Sequence, residues 1–164
     1  MPTLIQRIVD PVVVAPVEFH LPIIEESEYK RSHRKEGYLY NYSGYALDLS
    51  DKKPVGRKRV RSKETLLTFM QLAQQLMLIK SSETGEFLTV STRGKVRTSA
   101  VPTKGSLWKI NGKTTHSNFH ALKNSATNCF LSINRRGKVR CRKNSQKKST
   151  SFLPIARKRF GRRY

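Results

Sequence analysis

Beyond Glu86 the chain has no acidic residue. All eleven Asp and Glu lie at or before that position, whereas residues 87–164 carry twenty Lys and Arg. Catalysis by a Ser-His-Asp triad or by paired carboxylates needs an acid close to the base, so the C-terminal half cannot supply it. The acids of the first half form no catalytic motif, and no enzyme is expected. Only two cysteines occur, Cys129 and Cys141, too few for a disulfide framework and at a spacing that fits no zinc pattern. They would lie near each other across a hairpin, but adjacent strands seldom carry a disulfide, so two thiols packed as small hydrophobes are expected. The four histidines have no cysteine nearby, and no metal or other cofactor is predicted. No apolar run approaches the ~18 residues of a membrane span. Near the N-terminus, residues 4–11 are interrupted by polar groups and residues 12–17 are short, so no ordinary secretory signal is expected.

What is present, first, is charge of one sign. The net charge of +22 costs self-repulsion and is concentrated in the second half, while residues 1–36 are close to neutral. The expected partner of that half is a polyanion: a nucleic acid, an acidic membrane face or a sulfated polysaccharide.

Second, there is an internal repeat. In residues 129–154, CFLSINRRGKVRCRKNSQKKSTSFLP, the apolar Phe130, Leu131 and Ile133 lead into a turn at Asn134-Arg-Arg-Gly137, and the chain resumes with Val139. This is the pattern of a β-hairpin. Residues 87–99, FLTVSTRGKVRTS, repeat it 43 positions earlier. A weaker copy in residues 45–54 sets Leu47 and Leu49 where the others have Leu88/Val90 and Leu131/Ile133. Three hairpins at a period of about 42 residues, with about twelve short strands, predict an all-β fold, a β-trefoil in which three hairpins cap a six-stranded barrel.

Taken in order, residues 1–36 hold four prolines and an acidic cluster and are read as an extended or disordered arm. The trefoil occupies 37–156, and 157–164 form a basic tail. Residues 64–80, ETLLTFMQLAQQLMLIK, have helical spacing and good helix formers. Consistency with the repeat predicts instead two strands, 65–73 and 76–80, turning at Gln74-Gln75. Residues 52–63 and 111–118 read as loops, and 107–110 and 119–122 as short strands.

The stretches LYNYSGYALDL (39–49), MLIKSSETGEFL (77–88) and FLSINRRGK (130–138), the last followed by Phe152-Leu-Pro154, carry a family likeness. In this order and spacing they resemble the fibroblast growth factors across residues 38–155. Three departures mark a divergent member. Ser106-Leu-Trp108-Lys-Ile110 stands where the family has Cys-x-Phe-x-Glu. Residues 111–118 offer no counterpart of the Glu usually presented to receptor, and Arg142 replaces a family glycine.

Eight cations fall within the fifteen residues from Asn134 to Lys148. Guanidinium forks bind sulfate in a planar, bidentate way, and lysines add point charge. The resemblance implies that Asn134, Arg135, Arg136, Lys138, Arg140, Lys147 and Lys148 form a heparan sulfate site, with Ser43 adding a polar contact. It further implies a receptor surface at Tyr40, Phe119, Leu153 and Ile155 for a fibroblast growth factor receptor-type tyrosine kinase. The expectation is an extracellular ligand exported by a non-standard route. The alternative is a nuclear or cytoplasmic trefoil that sets the same basic face on nucleic acid or a protein. Asn41-Tyr-Ser43 is a glycosylation sequon, and a glycan there would crowd the sulfate site.

Overall fold

The computed structural model describes residues 21–58, 61–72, 75–113 and 118–157. Twelve strands occur among them: β1 (His33–Asn41), β2 (Tyr45–Asp48), β3 (Val55–Lys58), β4 (Leu67–Gln71), β5 (Leu76–Ser81), β6 (Phe87–Val90), β7 (Val96–Ser99), β8 (Trp108–Lys113), β9 (His120–Asn124), β10 (Phe130–Ile133), β11 (Val139–Arg142) and β12 (Phe152–Ala156). Antiparallel pairing runs β1–β4–β5–β8–β9–β12 and back to β1, closing a barrel of six strands. The remaining strands form three hairpins, β2–β3, β6–β7 and β10–β11, attached to β1, β5 and β9. This is the β-trefoil that the repeat predicts.

Each repeat contributes the same apolar positions to one core. Leu47/Leu49, Leu88/Val90 and Leu131/Ile133 are all fully buried, together with Leu39, Leu67, Ile79, Trp108 and Phe152. Polar residues repeat as well. Asn41, Ser81 and Asn124, none of them exposed, stand where a barrel strand hands over to a hairpin, and each side chain accepts hydrogen bonds from the backbone of the turn that follows. Thr65, Ser106 and Thr150, equally buried, reach back to the N–H three residues earlier, on Ser62, Thr103 and Lys147. A buried backbone donor without a partner costs about 1–3 kcal/mol, so these side chains hold the turns where the sheet ladders stop. Ser106 thus fills the place of the family cysteine with a hydroxyl that also bonds Thr89 Oγ1 at 2.7 Å. Trp108 takes the place of the family Phe and donates from Nε1 to Leu88 O at 3.1 Å.

The two strands expected within residues 64–80 are β4 and β5, with Gln75 at φ 65° just before β5; Ala73 and Gln74, where the first strand was expected to end and turn, lie outside the described residues. The helical look of the stretch has a physical source. Leu67 and Ile79 belong to the barrel core, while Met70 and Leu78 belong to a second cluster with Ile24, Phe87 and Leu107. Because both faces of the pair are covered, the period-2 alternation is lost.

That covering comes from the segment read as an arm. Residues 21–36 are ordered: Ile23 bridges Thr103, residues Glu26–Tyr29 form a single helical turn, and β1 already begins at His33. Tyr29 packs edge-on against Phe87 with ring centroids 5.9 Å apart. The buried Ile24 and the Tyr29 packed beside it anchor this stretch, in which Pro22 is the one proline. At the other end Arg157 belongs to the domain, since it pairs with Glu36 at 2.9 Å. Residues 1–20 and the tail 158–164 lie outside the described residues. Two expected loops also contain strand: β3 lies within 52–63, and β8 runs on to Lys113. Strand β9 likewise extends to Asn124.

Gly94 and Gly137 are equivalent turn residues with φ of 81° and 80°. A Cβ on Gly94 meets nothing within 4 Å, whereas one on Gly137 would lie 2.8 Å from Gly56 O. Gly94→Ala is therefore expected to cost only the left-handed backbone penalty, about 1–2 kcal/mol. Gly137→Ala should cost at least ~1 kcal/mol more, because hairpin β10–β11 must also shift from β3. Urea unfolding of the two variants measures the difference; equal losses would show that the contact with Gly56 contributes nothing.

Candidate polyanion-binding site

The turn of hairpin β10–β11 is set by Asn134. Its Oδ1 accepts from the N–H of Arg136 (2.8 Å) and of Lys138 (2.9 Å), while Gly137 N donates to Asn134 O. The amide oxygen is thus committed to the turn, and Asn134 can offer a ligand only its Nδ2 donor. Arg135, Arg136, Lys138, Arg140, Lys147 and Lys148 are all exposed. The ion pairs among the described residues are Arg57–Asp48, Lys63–Glu83 and Arg157–Glu36, so no carboxylate neutralises any of these cations. An uncompensated cluster of this kind raises the local anion concentration.

The N-terminal repeat supports this loop. Tyr45 Oη donates to Arg135 O, and Gly56 N donates to Gly137 O at 2.7 Å. Asn41 Nδ2 donates to Ser149 O at 2.9 Å, Tyr42 N donates to Ser151 O, and Lys148 Nζ lies 5.9 Å from the Tyr42 ring centroid. Ser43, whose N–H donates to Asn41 Oδ1, sits in the turn between β1 and β2 that these bonds hold against residues 148–151. Asn41 is fully buried, and the nitrogen a glycan would need is held by Ser149, so the sequon is not a modification site in the folded chain.

Lys138 and Arg140 line a cleft together with Lys52, Lys53, Lys95 and Arg97, and Lys148 lies against Tyr42 beside the β1–β2 turn. Sequence reading grouped Lys138, Arg140 and Lys148 because they fall in one stretch. The contribution of the first and second hairpins was signalled only by a Lys close before the returning strand in each repeat: Lys53 before Pro54, Lys95 before Val96 and Lys138 before Val139.

The four residues of the expected receptor surface fall together. In the β1–β12 pairing Tyr40 is opposite Leu153 and Tyr38 opposite Ile155, on the face away from the buried Leu39 and Phe152. Tyr38 and Tyr40 stack at 6.4 Å, and Arg61 Nε donates to Tyr40 Oη at 3.2 Å. Phe119 precedes His120, which pairs with Phe152, and its ring meets Tyr42 edge-on at 5.1 Å. Tyr40, Phe119, Leu153 and Ile155 are half-buried, with part of each apolar side chain left to solvent.

Cys129 and Cys141 form a disulfide, against the expectation of two thiols. Cys141 lies opposite Leu131, so Cys129, two residues earlier, is its diagonal neighbour at the end of the ladder. There the chain arrives through Asn128 at positive φ, and the Cα atoms come within 5.3 Å. That separation suits a bridge, and the diagonal offset brings together two cysteines that the general rarity of disulfides between adjacent strands would keep apart.

These features define a class: a β-trefoil with an uncompensated cationic surface next to a patch of aromatic and aliphatic side chains. The profile of the fibroblast growth factor family matches residues 35–154. The chain belongs to the fibroblast growth factor family, whose members are non-enzymatic signalling ligands. A search among curated proteins finds no match.

The disulfide closes a loop with a sequence separation of 12 on the hairpin that carries the cations. Replacing both cysteines by serine is expected to lower stability by about 2–3 kcal/mol. Denaturant unfolding of the wild type with and without reductant should show the same loss, and the double variant should be indifferent to reductant.

Proposed function

We propose that the chain is a growth-factor ligand that acts outside the cell, binding heparan sulfate through its basic loop and a receptor tyrosine kinase ectodomain through the patch around Tyr40. The observation that carries the first half is the absence of any acid paired with Arg135, Arg136, Lys147 or Lys148 among the described residues, where side-chain hydrogen bonds of Tyr45, Asn134, Thr150 and Asn41 hold the backbone around each. With the backbone already held, docking of a sulfated chain has to order the side chains but not the loop. The receptor half rests on family membership together with the apolar, aromatic-rich outer face of β1 and β12, a composition suited to an interface anchor. The disulfide supports an oxidising, extracellular setting over the nucleus or cytoplasm.

Two measurements test this reading. Arg135→Ser, Arg136→Ser and Lys148→Ser together should bring elution from heparin down to that expected from charge alone on a plain sulfonate exchanger, with circular dichroism unchanged, because exposed loop cations contribute little to stability. Equal behaviour of the wild type on the two columns would instead favour bulk charge, and with it the nucleic-acid reading. For the receptor, Tyr40→Ala or Leu153→Ala should weaken binding to an immobilised ectodomain by ~30-fold or more, as for a central interface anchor. An unchanged affinity for both would remove the patch from the interface.

A further inference from the structure

We infer that the cleft where the three hairpins meet is a second anion site, which shares Lys138 and Arg140 with the basic loop, and that it takes a compact, ring-borne polyphosphate. The cleft has a volume of about 680 Å³, within the roughly 300–1,000 Å³ usual for small-ligand sites. Its walls come from all three repeats: Lys52 and Lys53 from the first hairpin, Lys95 and Arg97 from the second, Lys138 and Arg140 from the third. Lys95 and Lys138 stand one residue before the returning strands β7 and β11, and Lys53 stands before Pro54, the residue that leads into β3. The pseudo-threefold axis therefore converts one lysine per repeat into a ring of three.

No acid lines the cleft, and none of the six cations has a carboxylate partner among the described residues. The walls are fixed. Gly56 N donates to Gly137 O at 2.7 Å, Val55 bridges Lys138, and Thr98 N donates to Lys52 O at 2.9 Å, so the first hairpin is tied to both of the others. Six like charges gathered on a rigid frame repel one another until an anion enters, and a concave wall of one sign focuses the field on the space between them. The shape of the charge selects the ligand. A linear sulfated chain can present anions along one side at a time, whereas phosphates on a six-membered ring point outward in several directions and meet cations from three hairpins at once.

Inositol hexakisphosphate is the probe, and vesicles carrying phosphatidylinositol bisphosphate are the second arm, which tells a soluble source from a lipid headgroup. Lys138 and Arg140 also belong to the expected heparan sulfate set, so the test uses residues of one surface only. By titration calorimetry at physiological salt, hexakisphosphate should bind at a single site and far more tightly than inorganic phosphate. Lys53→Ser, Lys95→Ser and Arg97→Ser together should weaken it by at least ~tenfold, since each removes a charge-assisted contact. The same variant should keep its excess retention on heparin, and the Arg135/Arg136/Lys148 variant should keep hexakisphosphate affinity. In the wild type the ligand should protect Lys53, Lys95 and Lys138 from acetylation but not Lys147, a readout independent of any variant's folding. Whichever probe binds tighter in this pattern names the source. The site is overturned if hexakisphosphate binds no better than inorganic phosphate, or if the loop variant loses the ligand while the cleft variant retains it.

Discussion

Strand β1 pairs with strand β12, register Gly37–Ala156 through Asn41–Phe152, and on that pairing the rest of the molecule depends. It closes the barrel, joining the first repeat to the last across more than a hundred residues of chain. The core can then be enclosed, because a six-stranded sheet without it would leave two open edges. It also builds the surfaces. Tyr40 meets Leu153 only there, and the β1–β2 turn reaches residues 148–151 only because Asn41 ends the strand next to Phe152.

Threefold repetition then sets what each surface can be. The apolar positions of the hairpins converge on one core, and the buried amides and hydroxyls converge on the turns, so the loops are held from within. Their outer residues are left without a structural duty. Cations can accumulate on the hairpin tips with little cost to packing, at the expense of mutual repulsion that a polyanion relieves. Asp48 marks the contrast: it is buried, accepts from Ser50 and pairs with Arg57 at 2.9 Å, and that pairing raises the pKa of Arg57 above its ordinary value. That charge serves the fold, whereas those of Arg135, Arg136 and Lys95 do not.

Much of this was legible from residues alone. The hairpin pattern around Gly94 and Gly137, the strand pair hidden in a helix-like stretch, and the likeness at residues 39–49 and 130–138 led to the trefoil and to its family. Two readings went astray. Residues 21–36 were read as an arm because their few apolar side chains carry no periodic signal, although Ile24 and Tyr29 pack on the outer face of β4 and β5. The cysteines were judged by their place in a hairpin, whereas the bond depends on a diagonal offset and a positive φ at Asn128.

The sequence by itself determined the fold class and the sign and location of the charge, because hairpin patterns and composition are properties of short stretches of chain. Only the tertiary structure decided which residues act together. Lys138 and Arg140 joined Lys53 and Lys95 in one cleft, Tyr40 acquired Leu153, and Asn41 disappeared into the interior. Each of these depends on contacts between residues from different repeats, which barrel closure and the pseudo-threefold axis bring together and no local pattern encodes.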